Sequence, residues 1–155
     1  MIPMNRKISY LLNKPFPVNK VQHRKGPGGK ELAYITARDV MDRLDEVFQP
    51  WGWQTRYEYL GGRMVCYLSC KVGGEWVTKA DGADDTQIEG AKGGISDSLK
   101  RAAVNWGIGR IYYNPGCFGP NREPAYWATP EGYEKIMADR ENKEIEEFRK
   151  ELSSV

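Results

Sequence analysis

Across 155 residues there is one histidine, His23, and there are three cysteines, Cys66, Cys70 and Cys117, none in C-x-x-C spacing. Neither a disulfide framework nor a zinc site is supported by so small a set. The cysteines are expected as reduced, partly buried thiols. No apolar run approaches the roughly 20 residues of a membrane helix, so no membrane partner is expected. Met1 to Lys14 is basic but lacks the roughly 7 to 15 apolar residues of a secretory signal. That predicts a cytoplasmic protein. Hydrophobic residues at 40% exclude wholesale disorder, and the length suits one ordinary domain.

Acid is also missing where it matters. The first thirty residues carry Arg6, Lys7, Lys14, Lys20, Arg24, Lys25 and Lys30 and no Asp or Glu. Residues 31–130 hold 11 bases and 13 acids, and residues 131–155 hold 5 and 8. The net charge of +2 therefore conceals an electropositive amino-terminal end, the kind of asymmetry that suits a polyanionic partner.

One nucleotide motif is only approached. Gly26-Pro27-Gly28-Gly29-Lys30 lacks the Gly-x-x-x-x-Gly-Lys spacing of a phosphate loop, and Glu31 stands where Ser or Thr is needed to hold magnesium. A hairpin turn explains it better, and ATP is not expected as a cofactor.

Asn5 to Asn13 suits a short helix, after which Pro15 and Pro17 force an extended exit. Val18 to Lys25 and Lys30 to Ile35, on either side of the glycine turn, read as a β-hairpin with a basic arm. Thr36 and Asp39 form a capping box, and Val40, Met41, Leu44, Val47 and Phe48 follow at helical spacing up to Pro50. Trp53–Leu60, Arg63–Val72 and Glu75–Lys79 are β-rich, with Gly61-Gly62 and Gly73-Gly74 between them, and predict an antiparallel meander.

A second capping box at Thr86–Glu89 opens a helix striped by Ile88, Ala91, Ile95, Leu99, Ala102 and Trp106. Gly90, Gly93 and Gly94 oppose helix at about 1 kcal/mol each relative to Ala, so the firm helix is expected from near Ser96. Its polar side carries Lys92, Lys100 and Arg101. Arg110–Tyr113 reads as a short strand, Asn114–Ala128 as loop, and Glu131–Leu152 as a charged helix behind Thr129-Pro130. The last helix has few apolar residues, which predicts a surface position or packing on a neighbouring subunit. The fold class is α+β: hairpin, helix and a three-stranded antiparallel meander packed on a long helix, in a domain over residues 1–128 followed by the helix at 129–155.

Three constellations bear on chemistry. Asp81, Asp84, Asp85 and Glu89 concentrate carboxylates near Lys92, as a metal-dependent nuclease would, although a solvated acidic loop explains them equally well. The spacing names no metal, and neither a metal ligand set nor a catalytic residue is assigned. The strand aromatics Tyr57, Tyr59, Tyr67 and Trp76 either pack in the core or stack bases. Lys100-Arg101 lies on a helix whose other side is apolar, so both cations can leave the core and meet phosphates in one groove.

Together these segments resemble the single-strand annealing domain of the Rad52/Rad22 family, including its short phage members. The resemblance rests on Arg24 to Ile35, on Val40 to Trp53 ending in Gly52-Trp53, and on Asp97 to Ala103 with Trp106-Gly107, in the family's order. It covers about residues 18–113. It implies that Arg24, Lys100 and Arg101 line an inner single-strand groove and that Arg63 takes the position of a basic residue of the outer DNA site. Lys25, Lys30 and Lys92 join them as expected DNA-binding residues. Where the family has a basic segment before its Lys-Arg helix, this chain has Asp81 to Asp85 and Gly90 to Gly94, a departure from the pattern. The implied function is ATP-independent binding of single-stranded DNA and annealing of complementary strands by a non-enzymatic ring of identical subunits. Phage or host recombination and single-strand-binding proteins are the further partners implied. The chain resembles the minimal annealing core of phages, which act in the bacterial cytoplasm. The weighed alternatives are the nuclease above and a plain DNA-protecting protein.

Overall fold

The computed structural model describes residues 4–84 and 90–155, with side-chain surroundings for 5–84 and 94–155. The second capping box at Thr86–Glu89, together with Asp85 and Ile88, lies outside the described residues, as do the side chains of Ala91 and Lys92. Among the described residues the chain forms four helices, α1 (Met4–Asn13), α2 (Ala37–Phe48), α3 (Gly90–Asn105) and α4 (Pro130–Ser153). Its strands are β1 (Gln22–Lys25), β2 (Glu31–Tyr34), β3 (Trp53–Leu60), β4 (Arg63–Val72) and β5 (Glu75–Asp84). β1 and β2 make a two-stranded antiparallel hairpin, and β3-β4-β5 a separate antiparallel meander. The protein is thus mixed α+β.

The two meander turns show why glycine pairs stand there. Gly61 and Gly62 have φ of 55° and 82°, and Gly73 and Gly74 of 59° and 83°. Two successive positive φ values describe the tight hairpin turn whose twist matches the strands, and glycine adopts it without steric cost. β4 is central and presents Met64, Cys66, Leu68 and Cys70 to the core, all buried. α3 lies across β4 and β5, and α2 packs on α3. Capping is as the sequence predicts: the Asp39 amide donates to Thr36 Oγ1 at 3.2 Å and the Thr36 amide donates to Asp39 Oδ2 at 3.1 Å. Val40, Leu44 and Phe48 are buried, whereas Met41 faces outward.

Four expectations need correction. β5 runs on to Asp84 rather than ending at Lys79, because β4 extends back to Arg63 and its backbone groups pair as far as Arg63↔Asp84. α3 is helical from Gly90 rather than from Ser96. Packing on the sheet overrides the low propensity of its glycines, and close approach uses small residues, with Gly94, Ser98 and Ala102 buried and Ile95 exposed. Arg110–Tyr113 is a 3-10 turn, not a strand: Gly109, at φ 76° and ψ 2°, swings the chain away after α3. Tyr112 is buried there and its hydroxyl accepts from the Phe16 amide at 2.8 Å. Finally, residues 18–20 form a turn, so the first hairpin strand starts only at Gln22.

The least expected core residue is Arg43, which is 6% exposed. Its Nη1 donates to the carbonyls of Leu11 at 2.9 Å and Lys14 at 2.6 Å, and its guanidinium lies 4.1 Å from the centre of the Phe16 ring. The side chain caps the carboxyl end of α1, where helical carbonyls lack partners. α4 is tied to the same helix through the Tyr133 hydroxyl, which donates to the Tyr10 carbonyl at 2.9 Å, and through an Arg6–Glu144 ion pair. Arg43→Met keeps bulk but strips those carbonyls of their donor. Each buried group left unmade costs about 1 to 3 kcal/mol. Urea unfolding should show a loss of roughly 2 to 4 kcal/mol on that basis, seen as a lower midpoint with unchanged slope.

Candidate nucleic-acid interface

The hairpin and α3 meet in a cleft of about 430 Å³ whose charged lining is Arg24, Lys30, Lys100, Arg101 and Arg122 against Glu31 and Asp97. The centre of the arrangement is the Tyr34 ring. Arg24, from β1, places its guanidinium carbon 5.7 Å from the ring centre, and Lys100, from α3, places its Nζ at 5.3 Å. Both distances suit attraction of a cation by an aromatic quadrupole. The ring is oriented by its own hydroxyl, which donates to Gln22 Oε1 at 3.1 Å, and Gln22 is its cross-strand partner. Hairpin register thus sets the ring, and the ring gathers cations from two elements 76 positions apart in sequence, residues 24 and 100.

Lys100 is half-buried, and burial holds its ammonium below the usual lysine pKa. Asp97 pulls it back up, while Arg24 and Arg101 push it further down. That influence of Arg24 places the hairpin cation within electrostatic reach of the helix cation. Burial also lowers Arg101, but the charge and hydrogen bond of Asp97, its partner at 3.3 Å, with Tyr113 and Asp81 behind, carry it upward overall. Across the cleft mouth Arg122 Nε donates to Glu31 Oε1 at 2.7 Å.

Residues 5–65 and 66–117 match the sequence profile described as Rad52/22 family double-strand break repair protein. The chain belongs to this family. It is also similar to two proteins named single-stranded DNA-binding protein DdrA. That of Deinococcus deserti is 34% identical over 111 residues, covering 66% of this chain and 55% of the relative. That of Deinococcus radiodurans is 33% identical over 111 residues, covering 66% and 53%. The chain spans about half the length of these relatives.

The Rad52/22 match includes Arg24, Lys30, Arg63, Lys100 and Arg101, and ends before Arg122. Arg24, Lys30, Lys100 and Arg101 share the cleft. Lys25, next along β1, does not line it. Arg63 lies at the far turn of the meander and pairs with Asp84 at 2.9 Å, outside the cleft. The Lys92 side chain is among those not described. Of the acidic group, Asp81 and Asp84 are three residues apart on β5 and so project from opposite faces of the sheet. Asp84 is already engaged by Arg63. The strand aromatics divide: Tyr57 is half-buried against the core, while Tyr59 and Trp76 are exposed. Tyr67 lies under Arg56 on the sheet face away from α3, the guanidinium 4.0 Å from its ring. Tyr34, Glu31, Asp97 and Arg122 are the cleft residues that sequence reasoning missed. For Tyr34 a signal existed, an aromatic directly across a strand pair from a basic arm; for Arg122, in a loop rich in Pro and Gly, there was none.

The charge pattern at Lys100 makes a prediction with a defined sign. Its folded pKa lies below that of the unfolded chain, so the unfolded state holds the proton more firmly and stability rises with pH through the window between the two values. In a side-chain NMR titration Lys100 should lose its proton below the ordinary lysine value of 10.5. Asp97→Asn should lower its midpoint further and Arg24→Ala should raise it. A reversed order would show that the two elements are not coupled through this cleft.

Proposed function

We propose that this chain binds single-stranded DNA along its backbone in the hairpin–helix cleft and anneals complementary strands in recombination and double-strand break repair, without ATP. The observation that carries the reading is the pair of cations, Arg24 and Lys100, held on one tyrosine ring from two separate elements. Family membership and the naming of both relatives as single-stranded DNA-binding proteins support it. Cations that neutralise phosphates release condensed counterions, which supplies affinity without reading sequence. A strand held by its backbone leaves its bases free to test a second strand, and pairing and stacking drive the product. The scheme has no covalent step.

Arg24, Lys100 and Arg101 form the inner contacts in this reading, with Lys30 at the hairpin turn, and Lys25 and Lys92 complete the proposed DNA-binding set. Arg63 belongs to a separate outer site. Residues 1–128 act as the annealing unit and residues 129–155 as a charged extension, in the cytoplasm. Among the described residues no helix is long and apolar enough to cross a membrane. Assembly into a closed ring of identical subunits is supported by the meander, whose outer strands β3 and β5 are, among the described residues, each paired on one side only. Such edges invite a head-to-tail neighbour, and repeated head-to-tail contacts give a ring when the rotation between subunits closes. Phage or host recombination and single-strand-binding proteins are the further partners in this scheme.

Annealing of labelled complementary oligonucleotides in EDTA without nucleotide tests the function. The parent protein should anneal, and Arg24→Ala and Lys100→Ala/Arg101→Ala should bind more weakly on every sequence, the salt slope falling by about 0.7 per lost contact. Lys143→Ala on α4 should behave like the parent. A strict need for ATP, or full annealing by both groove variants, would overturn the proposal. Light scattering should give a multiple of the 17.7 kDa chain mass; a monomer that still anneals would remove the ring.

A further inference from the structure

We infer that Arg122 is an additional contact for the single strand, delivered to the cleft by the loop at residues 117–125, and that Glu31 occupies its guanidinium when no strand is bound. The inference rests on the DNA-binding reading of the cleft given above, but not on the family match, which ends at residue 117.

Three observations converge. Arg122 lines the same cleft as Arg24, Lys30, Lys100 and Arg101. Its backbone is held at φ 60°, in the left-handed region; among the described residues Gln49 is the other non-glycine with positive φ. A non-glycine residue is held there only where its surroundings over-determine it. Here the loop is cinched at its base by the Ala125 amide donating to the Cys117 carbonyl at 2.9 Å and by the Gly119 amide donating to the Glu123 carbonyl at 2.8 Å. At its tip the Asn121 amide donates to Glu123 Oε2 at 2.8 Å and the Arg122 amide to the Gly119 carbonyl at 3.0 Å. That bonding places a long cation over the cleft at a backbone cost.

The third observation is the partner. Both Nε and Nη2 of Arg122 converge on one oxygen of Glu31, a carboxylate from the hairpin arm itself. Guanidinium binds carboxylate and phosphate through the same planar array of donors. Both side chains are substantially exposed, at 56% and 40%. An ion pair in such solvent is worth little, and a phosphate can exchange for the carboxylate without breaking a buried contact. Arg101 with Asp97 repeats the arrangement on α3. In each case an acid keeps a guanidinium aligned at the groove until a phosphate of the strand replaces it.

Binding of a fluorescent oligothymidylate by the whole protein, titrated over a range of salt, tests this. Arg122→Asn removes the cation but keeps a residue that tolerates the left-handed backbone, so the melting temperature should hold. Affinity should fall about fivefold near 0.1 M salt and the salt slope by about 0.7, the effect of one lost phosphate contact. Glu31→Gln frees Arg122 and should tighten binding. An Arg122→Asn protein with the parent's affinity and slope overturns the inference, and so does a Glu31→Gln protein that binds no better than the parent. Lys100→Ala/Arg101→Ala, measured alongside, separates the levels. If that variant loses binding while Arg122→Asn does not, only the loop contact is wrong; if neither loses binding, the cleft is not the DNA site.

Discussion

The cleft exists because the last turn of α3 is locked to the central strand. Trp106 Nε1 donates to the Leu68 carbonyl at 3.2 Å in the interior, and the Trp106 ring meets Phe48 of α2 edge-on at 5.8 Å. Lys79, reaching from β5, lies 5.1 Å from the same ring and donates to the Asn105 carbonyl at 3.1 Å. One residue thus joins α2, α3, β4 and β5. A buried indole N–H requires a partner, and this one finds it at a single place along the sheet, which fixes how far α3 slides and how it is rotated. Rotation is what matters. With Leu99, Ala102 and Ala103 pressed inward, Lys100 and Arg101 are left at the helix flank facing the hairpin.

Gathering five cations in one cleft costs energy through mutual repulsion, and the protein offsets it with interactions that leave the charges usable. Two carboxylates, Asp97 and Glu31, each engage a guanidinium near the surface. Tyr34 receives two cations on its ring without neutralising either. The residual strain is visible at Lys100, where burial and the neighbouring arginines disfavour the charged form. A polyanion opposes the repulsion directly, since added negative charge stabilises the lysine ammonium beside the arginines. Such a site is poor at holding neutral ligands and well matched to a phosphate backbone.

What was legible in the sequence was what depends on neighbours in the chain. Paired glycines between β-rich runs marked both meander turns, and Thr36 with Asp39 marked the start of α2, because turn and cap chemistry is local. Lys100-Arg101 was legible as a groove pair because an apolar stripe leaves only one side of a helix free. Features set by distant partners were not. Arg43 follows Asp42 on a helix and has the look of a solvated charge, and only the approach of α1 turns it into a buried cap. The extension of β5 was hidden because Ala80, Gly82 and Ala83 have little strand propensity; the unpaired backbone of β4 demands them. Arg122 was hidden for the same reason: a loop's position is a property of what it ties to.

The division between local and distant determinants also runs through the cleft. Its wall on the α3 side is anchored in the core by Trp106 and Leu99, while the opposite wall is a two-stranded hairpin with four pairs of residues in register. Two-stranded ribbons are marginal alone, so this one depends on its attachments. His23 packs edge-on to Phe118 at 4.6 Å, Tyr34 joins Lys100, and Glu31 joins Arg122. Two of the three are contacts of the charged lining itself. The α3 wall therefore carries Lys100, the half-buried cation of the cleft, and the lighter wall is held in place partly by groups that a phosphate would engage. On this geometry, two of the contacts that position the hairpin are drawn from the charged lining of the cleft itself.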